Sequence, residues 1–113
     1  MSKEILSYFV EFLGTFIFLY VIAAIGEPIA IAVALLAMIY FGGKISGGSF
    51  NPAVSFLLFM KNKLSSTKFI GYVIMELLGA YAAYHLYIYT QGGVSLSRAA
   101  AHSLVKLRSS NGN

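Results

Sequence analysis

The chain has 113 residues, of which 58% are hydrophobic and 11% are charged, and its mean hydropathy is +0.78. A soluble domain of this size carries about a quarter charged residues, so the composition excludes an ordinary soluble domain and predicts a small membrane protein built as one unit. The chain contains no cysteine, which excludes disulfides and thiolate metal sites. Its net charge of +4 comes from basic residues that flank apolar runs, so a lipid bilayer is a better partner than nucleic acid.

Two apolar runs joined by a tight turn open the chain. Residues 7–26 are enough to cross a hydrocarbon layer of roughly 30 Å, and one acid, Glu11, interrupts them. A cleaved signal peptide is the alternative, which the nearly neutral start of the chain, Glu11 and the later apolar runs oppose. After the turn at 26–28, Pro28 suits the first turn of a helix. The alanine-rich residues 29–45 then predict a second span packed inside a bundle.

A glycine-rich stretch and a short apolar run follow. Residues 42–50, GGKISGGSF, should be irregular, and residues 51–60, NPAVSFLLFM, should begin a helix, because Asn is a preferred N-cap and Pro is favoured at the first helical position. Ten helical residues span about 15 Å, half the hydrocarbon thickness. Irregular backbone at membrane depth is tolerated only where it is buried in protein or lines a watery cavity. The loop and half-length helix therefore predict a pore or binding site; a loop outside the membrane followed by a capped amphipathic helix is the alternative.

The remaining residues form a basic loop, a third span and a polar tail. Residues 69–89 are apolar apart from Glu76 and carry tyrosines toward their far end, as a span with an interfacial aromatic belt would. The tail, 91–113, is too polar to span. Arg98, His102 and Lys106 recur there at every fourth position, which is typical of a short helix lying on the membrane surface. A frayed terminus is the alternative reading.

These segments together predict an all-α membrane protein, with three transmembrane helices and one re-entrant half-helix in residues 1–90. With a cytoplasmic N-terminus, five lysines lie inside and three basic residues lie outside. This is a weak positive-inside bias, and it leaves insertion in both orientations open.

The half-helix also predicts what it would select. A helix N-terminus carries partial positive charge and free N–H groups, so at the bilayer centre it repels cations and protons but not neutral solutes. Glycine lets carbonyl groups approach a passing solute, and Asn51 can cap the helix while still offering amide N–H donors. The sequence has no catalytic constellation, metal-spaced cluster or phosphate-binding loop, so it predicts no enzyme, no metal and no cofactor. A secondary transporter using Glu11 and Glu76 is a further alternative.

At this point the sequence resembles a known family. Residues 46–56, SGGSFNPAVSF, resemble the first NPA box of the aquaporin and glycerol-facilitator (major intrinsic protein) family. Residues 11–20 and 71–83 resemble the first and third helices of that family, in the same order and spacing, and the resemblance covers roughly residues 5–89. It implies a half-repeat of three spanning helices and one half-helix, which meets a second half-repeat of opposite orientation at the midplane.

The resemblance also implies roles for particular residues. Asn51 would form the central constriction, and carbonyl groups around Gly47, Gly48 and Ser49 would line a vestibule. Ile31 occupies a filter position where water-selective members tend to carry an aromatic residue, and Val54 stands where the second repeat carries an arginine. The implied pore residues are Asn51, Pro52, Ala53, Gly47, Gly48, Ser49, Ile31 and Val54, and the implied loop-bracing acids are Glu11 and Glu76.

The expected function is passive passage of water or small neutral solutes such as glycerol. These residues contain one NPA box, whereas the family's pore uses two. Three arrangements follow: an inverted homodimer, a complementary half-channel formed with a separate partner, or a truncated remnant that does not conduct. A non-conducting membrane subunit that binds and regulates a full-length channel is the alternative function.

Overall fold

The structure, a computed structural model, describes residues 2–112, and for residues 92–97 it describes the backbone alone. The described chain consists of four helices: α1 (Lys3–Ala24), α2 (Pro28–Ser46), α3 (Pro52–Met60) and α4 (Ser66–Ser110). It contains no strand in residues 2–112, so the predicted all-α fold is confirmed.

Local sequence accounts for where each helix begins. A side chain just before the first turn accepts a hydrogen bond from a backbone N–H group of that turn, which satisfies a donor that has no partner inside the helix. Pro28 and Pro52 occupy the first helical positions of α2 and α3, where proline loses no hydrogen bond. The capping residues are Ser2, Glu27, Asn51 and Ser65.

Three of the helices are long and apolar enough to cross a membrane: Lys3–Ala24, Pro28–Ser46 and the part of α4 from Ser66 to Gln91. The nine residues of α3 reach only about 14 Å. This is the predicted pattern of three spans and one half-helix, and it makes the chain an integral membrane protein. The first span begins at Lys3, before the predicted residue 7, because Ser2 caps the helix there.

Helix α4 continues well beyond the third span. It runs without interruption to Ser110, whereas the sequence predicts that the span ends at residue 89 and that a separate tail follows it. The boundary near residue 90 is therefore a change of polarity and not of secondary structure. Hydropathy reports which side chains lipid tolerates, but helix continuation depends on backbone hydrogen bonding, and the alanines at 99–101 favour it.

Polar side chains are buried and large apolar side chains are exposed, which is the reverse of the arrangement in a soluble domain. Helix α1 packs against both α2 and α4, and α3 packs against α4. Seven polar or acidic side chains are buried in this interior, whereas the large apolar side chains of α1, α2 and α4 mostly face outward. In water that arrangement would expose costly apolar surface, but lipid tails are as apolar as leucine. The buried polar side chains are Ser7, Glu11, Thr15, Ser46, Ser49, Ser55 and Glu76.

Candidate functional site

The site is built around the N-terminus of α3. Asn51 lies in extended conformation, and its Oδ1 accepts a hydrogen bond from the N–H of Ala53 at 2.7 Å. The backbone carbonyl of Asn51 accepts from the N–H of Ser55 at 2.9 Å, which starts the helix. Because the cap uses only Oδ1, the NH₂ group of Asn51 remains available. The residue is also exposed. The amide can therefore donate to a neighbouring molecule without losing the cap.

The chain reverses direction between α2 and α3 in an unusual backbone conformation. Gly47 ends α2 with φ +94°, Gly48 has φ +70°, and Phe50 has φ +56°. Glycine adopts such angles at no steric cost, but for phenylalanine they are strained. Something must therefore hold Phe50 in place.

Glu11 supplies that hold from α1. Its Oε1 accepts a hydrogen bond from the N–H of Phe50 at 2.7 Å, and its Oε2 accepts from the N–H of Ser49 at 3.3 Å and from the hydroxyl of Ser46 at 2.5 Å. The Glu11 side chain is fully buried. Both oxygens of the Glu11 carboxyl group thus hold the loop.

The ring of Phe50 is the second support of the loop. The side chain is 1% exposed and lies against Gly14 of α1 and Gly42 of α2, where an added Cβ would overlap or crowd the ring. Phe50 was not among the site residues predicted from the sequence. The available signal was two glycines in neighbouring spans together with one bulky side chain directly before the Asn-Pro pair.

Glu76 reaches the loop from α4 through a chain of hydroxyl groups. Its Oε2 accepts from the hydroxyl of Ser55 at 2.7 Å, Ser55 Oγ lies 2.5 Å from Ser49 Oγ, and Ser49 donates to the carbonyl of Asn51 at 3.1 Å. Glu76 Oε1 is buried and has no hydrogen-bond partner among residues 2–112. Two acids on two different helices thus reach the same loop, Glu11 directly and Glu76 through Ser55.

A tyrosine on α4 also holds the end of α2. The Tyr72 hydroxyl donates to the carbonyl of Ser46 at 2.6 Å, and its side chain is fully buried. Tyr72 and Ser55 were not among the predicted site residues. Both are polar groups inside apolar runs, and such groups face the protein interior in membrane proteins.

The backbone N–H groups and the backbone carbonyl groups of the loop differ in whether they have hydrogen-bond partners. The N–H groups of Gly48, Ser49 and Phe50 all donate to side chains of the protein. The carbonyl groups of residues 47–50 accept no hydrogen bond from residues 2–112. A row of free acceptors therefore stands beside the free amide of Asn51.

The predicted pore residues do not all lie together. Pro52, Ala53 and Val54 form the first turn of α3 beside Asn51, and the Val54 side chain is 38% exposed. Ile31 lies in the first turn of α2, sixteen residues before Gly47, or about 24 Å away along the helix. The structure thus gathers one cluster at the loop and leaves Ile31 near the other end of α2.

Comparison with known proteins agrees with this architecture. The model of the major intrinsic protein family matches residues 2–111. Similar proteins include glycerol uptake facilitator protein-like 6 of Lactiplantibacillus plantarum, which is 36% identical over 85 residues covering 67% of this chain and 39% of that protein. Aquaporin PIP1-3 of Arabidopsis thaliana is 39% identical over 87 residues, covering 62% of this chain and 30% of the aquaporin.

The chain thus spans less than two fifths of the length of these curated relatives. No solved structure matches it significantly. The family match covers nearly the whole chain and coincides with the three spans, the half-helix and the Asn-Pro-Ala turn. The chain belongs to the major intrinsic protein family.

Proposed function

We propose that this half-repeat lines one side of a membrane channel for water or small neutral solutes such as glycerol, and that a second half-repeat completes the pore. The observation that carries the proposal is the row of free carbonyl groups at 47–50 beside the exposed amide of Asn51. Polar backbone at membrane depth is expensive unless it is buried in protein or wetted. A passing solute that both donates and accepts hydrogen bonds would satisfy these groups in turn.

Selectivity against ions would come from α3. Its N-terminus, at Pro52 and Ala53, carries a partial positive charge, and this charge opposes cations and protons while leaving neutral solutes unaffected. The carbonyl groups of Gly47, Gly48 and Ser49 would act as acceptors and Asn51 as donor. Val54 and Ile31 would narrow the mouth of the path. The aliphatic side chain at 31 favours a wider and more apolar opening than an aromatic residue would leave.

Glu11 and Glu76 would act as loop braces and not as proton carriers. Both Glu11 oxygens are engaged by donors of residues 46–50, and Glu76 contacts the loop only through Ser55 and Ser49. The two acids would not contact the solute themselves; they would hold the free carbonyl groups in fixed positions.

For the second half we favour an inverted pair of identical chains. Packing within one copy buries one face of α3, centred on Ser55, and leaves Asn51, Ala53 and Val54 on an exposed face. The weak bias of five basic residues against three suits a protein that inserts in both orientations. A separate half-channel would serve the same chemistry, and a subunit that regulates a full-length channel is the second candidate. An inverted pair would carry no filter arginine, so it should pass small neutral solutes with little discrimination.

The test is stopped-flow light scattering on liposomes that contain only these 113 residues, with Asn51→Asp as the variant. Asp still caps a helix N-terminus, but it offers no amide donor and adds a negative charge at the constriction. We expect osmotic shrinkage faster than that of empty liposomes, and a marked change with Asn51→Asp.

The matched control is Asn62→Asp, the same chemical change in the exposed loop before α4, where Asn62 has φ +60°. It should leave the rate unchanged. If liposomes with correctly inserted protein shrink no faster than empty liposomes, the inverted pair is rejected, and a separate half-channel or a regulatory role is favoured.

A further inference from the structure

Helix α4 is longer than any membrane span requires. Its apolar part ends at Gln91, and the helix then continues to Ser110, a further rise of about 28 Å. The molecule is 72 Å long, whereas a bilayer with its headgroups measures about 40–45 Å. The distal part of α4 therefore projects beyond the membrane, and we call residues 98–110 the distal segment.

The distal segment is basic and carries uncovered apolar side chains. Residues 91–113 include no Asp or Glu, and Arg98, His102 and Lys106 recur at every fourth position, which places them on one face of the helix. All residues from 98 to 112 are exposed. Leu104 and Leu107, with exposures of 67% and 61%, lie on another face and would remain in water if the helix stayed upright.

We propose that the distal segment binds the surface of an anionic bilayer, with its leucines in the acyl boundary and the basic face that begins at Arg98 among the headgroups. A lipid surface fits this segment because it meets both faces of one helix at once. Charge complementarity also favours it, since each Lys or Arg near an anionic leaflet strengthens binding. The surface is within reach, because Arg98 lies only seven residues, or about 10 Å of helix, beyond Gln91.

The helix must bend for its distal segment to lie flat. Gly92 and Gly93 follow the last residue of the span, and glycine is a poor helix former because it retains the most backbone freedom when unfolded. We therefore expect the helix to bend at these two glycines, where it leaves the membrane.

The chain contains no tryptophan, which makes Leu104→Trp a clean reporter. The variant is reconstituted as the full chain in vesicles of phosphatidylcholine alone and in vesicles of equal parts phosphatidylcholine and phosphatidylglycerol. In the anionic vesicles we expect blue-shifted emission that is quenched by brominated lipid and reversed by salt. In phosphatidylcholine alone the emission should be that of an indole in water.

Two further double variants and one matched control, all in the same reporter background, test the mechanism. Arg98→Gln with Lys106→Gln should lower the ratio of bound to free segment by roughly 30-fold, since each basic residue contributes about fivefold. The matched control, Lys61→Gln with Lys63→Gln, removes the same charge from the loop before α4 and should have no effect. Gly92→Ala with Gly93→Ala should reduce the bound fraction by stiffening the bend.

Three results would overturn the proposal. One is emission that is the same in both vesicle types. Another is a blue shift that follows the protein-to-lipid ratio and not the anionic lipid, because it would mean that distal segments of neighbouring copies pair with each other. The last is equal loss in the Lys61 and Lys63 control.

Discussion

Glu11 and Glu76 are both buried acids that contact the same loop, yet the structure predicts losses of stability of very different size when each is replaced by glutamine. Both oxygens of Glu11 accept hydrogen bonds, two of them from backbone N–H groups. Glutamine keeps one oxygen and turns the other into an NH₂ donor. In Glu11→Gln, one donor of the loop must therefore face another donor.

The magnitude follows from which bond is lost. The amide oxygen should take the Oε2 position, where two donors meet, so the NH₂ group faces the N–H of Phe50. That removes a hydrogen bond of 2.7 Å, worth about 0.5–1.5 kcal/mol, and leaves a buried donor unpaired at a cost of about 1–3 kcal/mol. Because the two figures overlap, we expect a loss of about 3 kcal/mol in the free energy of unfolding.

Glu76→Gln is the matched control. Glu76 accepts one bond, from Ser55, and its other oxygen has no partner in residues 2–112. The amide oxygen can keep the bond to Ser55 while NH₂ occupies the unpartnered position. The expected loss is at most about 1 kcal/mol, because the hydrogen bond from Ser55 is kept.

Both variants can be measured by titrating SDS into maltoside micelles and following helix content by circular dichroism. The two stabilities should separate by roughly 2 kcal/mol or more. A Glu11→Gln variant as stable as the parent chain, or a Glu76→Gln variant that loses as much stability as Glu11→Gln, would contradict these assigned roles of the two acids. In liposomes, Glu11→Gln should also slow solute passage, because it frees the strained backbone at Phe50.

Two smaller predictions concern a helix crossing and a helix cap. A Cβ added at Gly79 would lie 2.8 Å from a backbone oxygen of α1, so Gly79→Ala should cost about 2 kcal/mol by overpacking; Gly43→Ala, whose Cβ would meet nothing closer than 3.7 Å, should cost nothing in the same SDS titration. The N–H groups of Ile29 and Ala30 hold the pKa of Glu27 below its ordinary value of 4.5, so its stabilising effect is present above pH 4.5 and is lost as the pH falls through the lowered pKa. Glu27→Gln should therefore lower thermal stability at neutral pH and remove part of the loss on acidification; an unchanged acid profile would show that this cap contributes nothing.

Much of the fold could be read from local patterns. Apolar runs of about twenty residues can be stable in lipid only as spanning helices, and the Asn51-Pro52 pair marks a helix start wherever it occurs. An acid inside a span must find donors in the protein interior. For these reasons the sequence alone determined the three spans, the half-helix and the inward direction of Glu11 and Glu76.

Other features depend on contacts between residues far apart in the chain. Glu11 meets Ser46, Ser49 and Phe50 across 35 to 39 residues, and no local pattern states which donors a buried acid will find. The left-handed conformation of Phe50 runs against its own preference. It persists because Glu11 and two glycines on separate helices over-determine it.

The length of α4 was also predicted only in part from the sequence. Sequence polarity located the end of the membrane-spanning part, because lipid selects side chains by their transfer free energy. It did not locate the end of the helix, because backbone hydrogen bonds continue through polar residues as readily as through apolar ones. Composition thus determined what enters the membrane, and tertiary structure decided which polar groups meet inside it, because only folding brings donors and acceptors from separate helices within bonding distance.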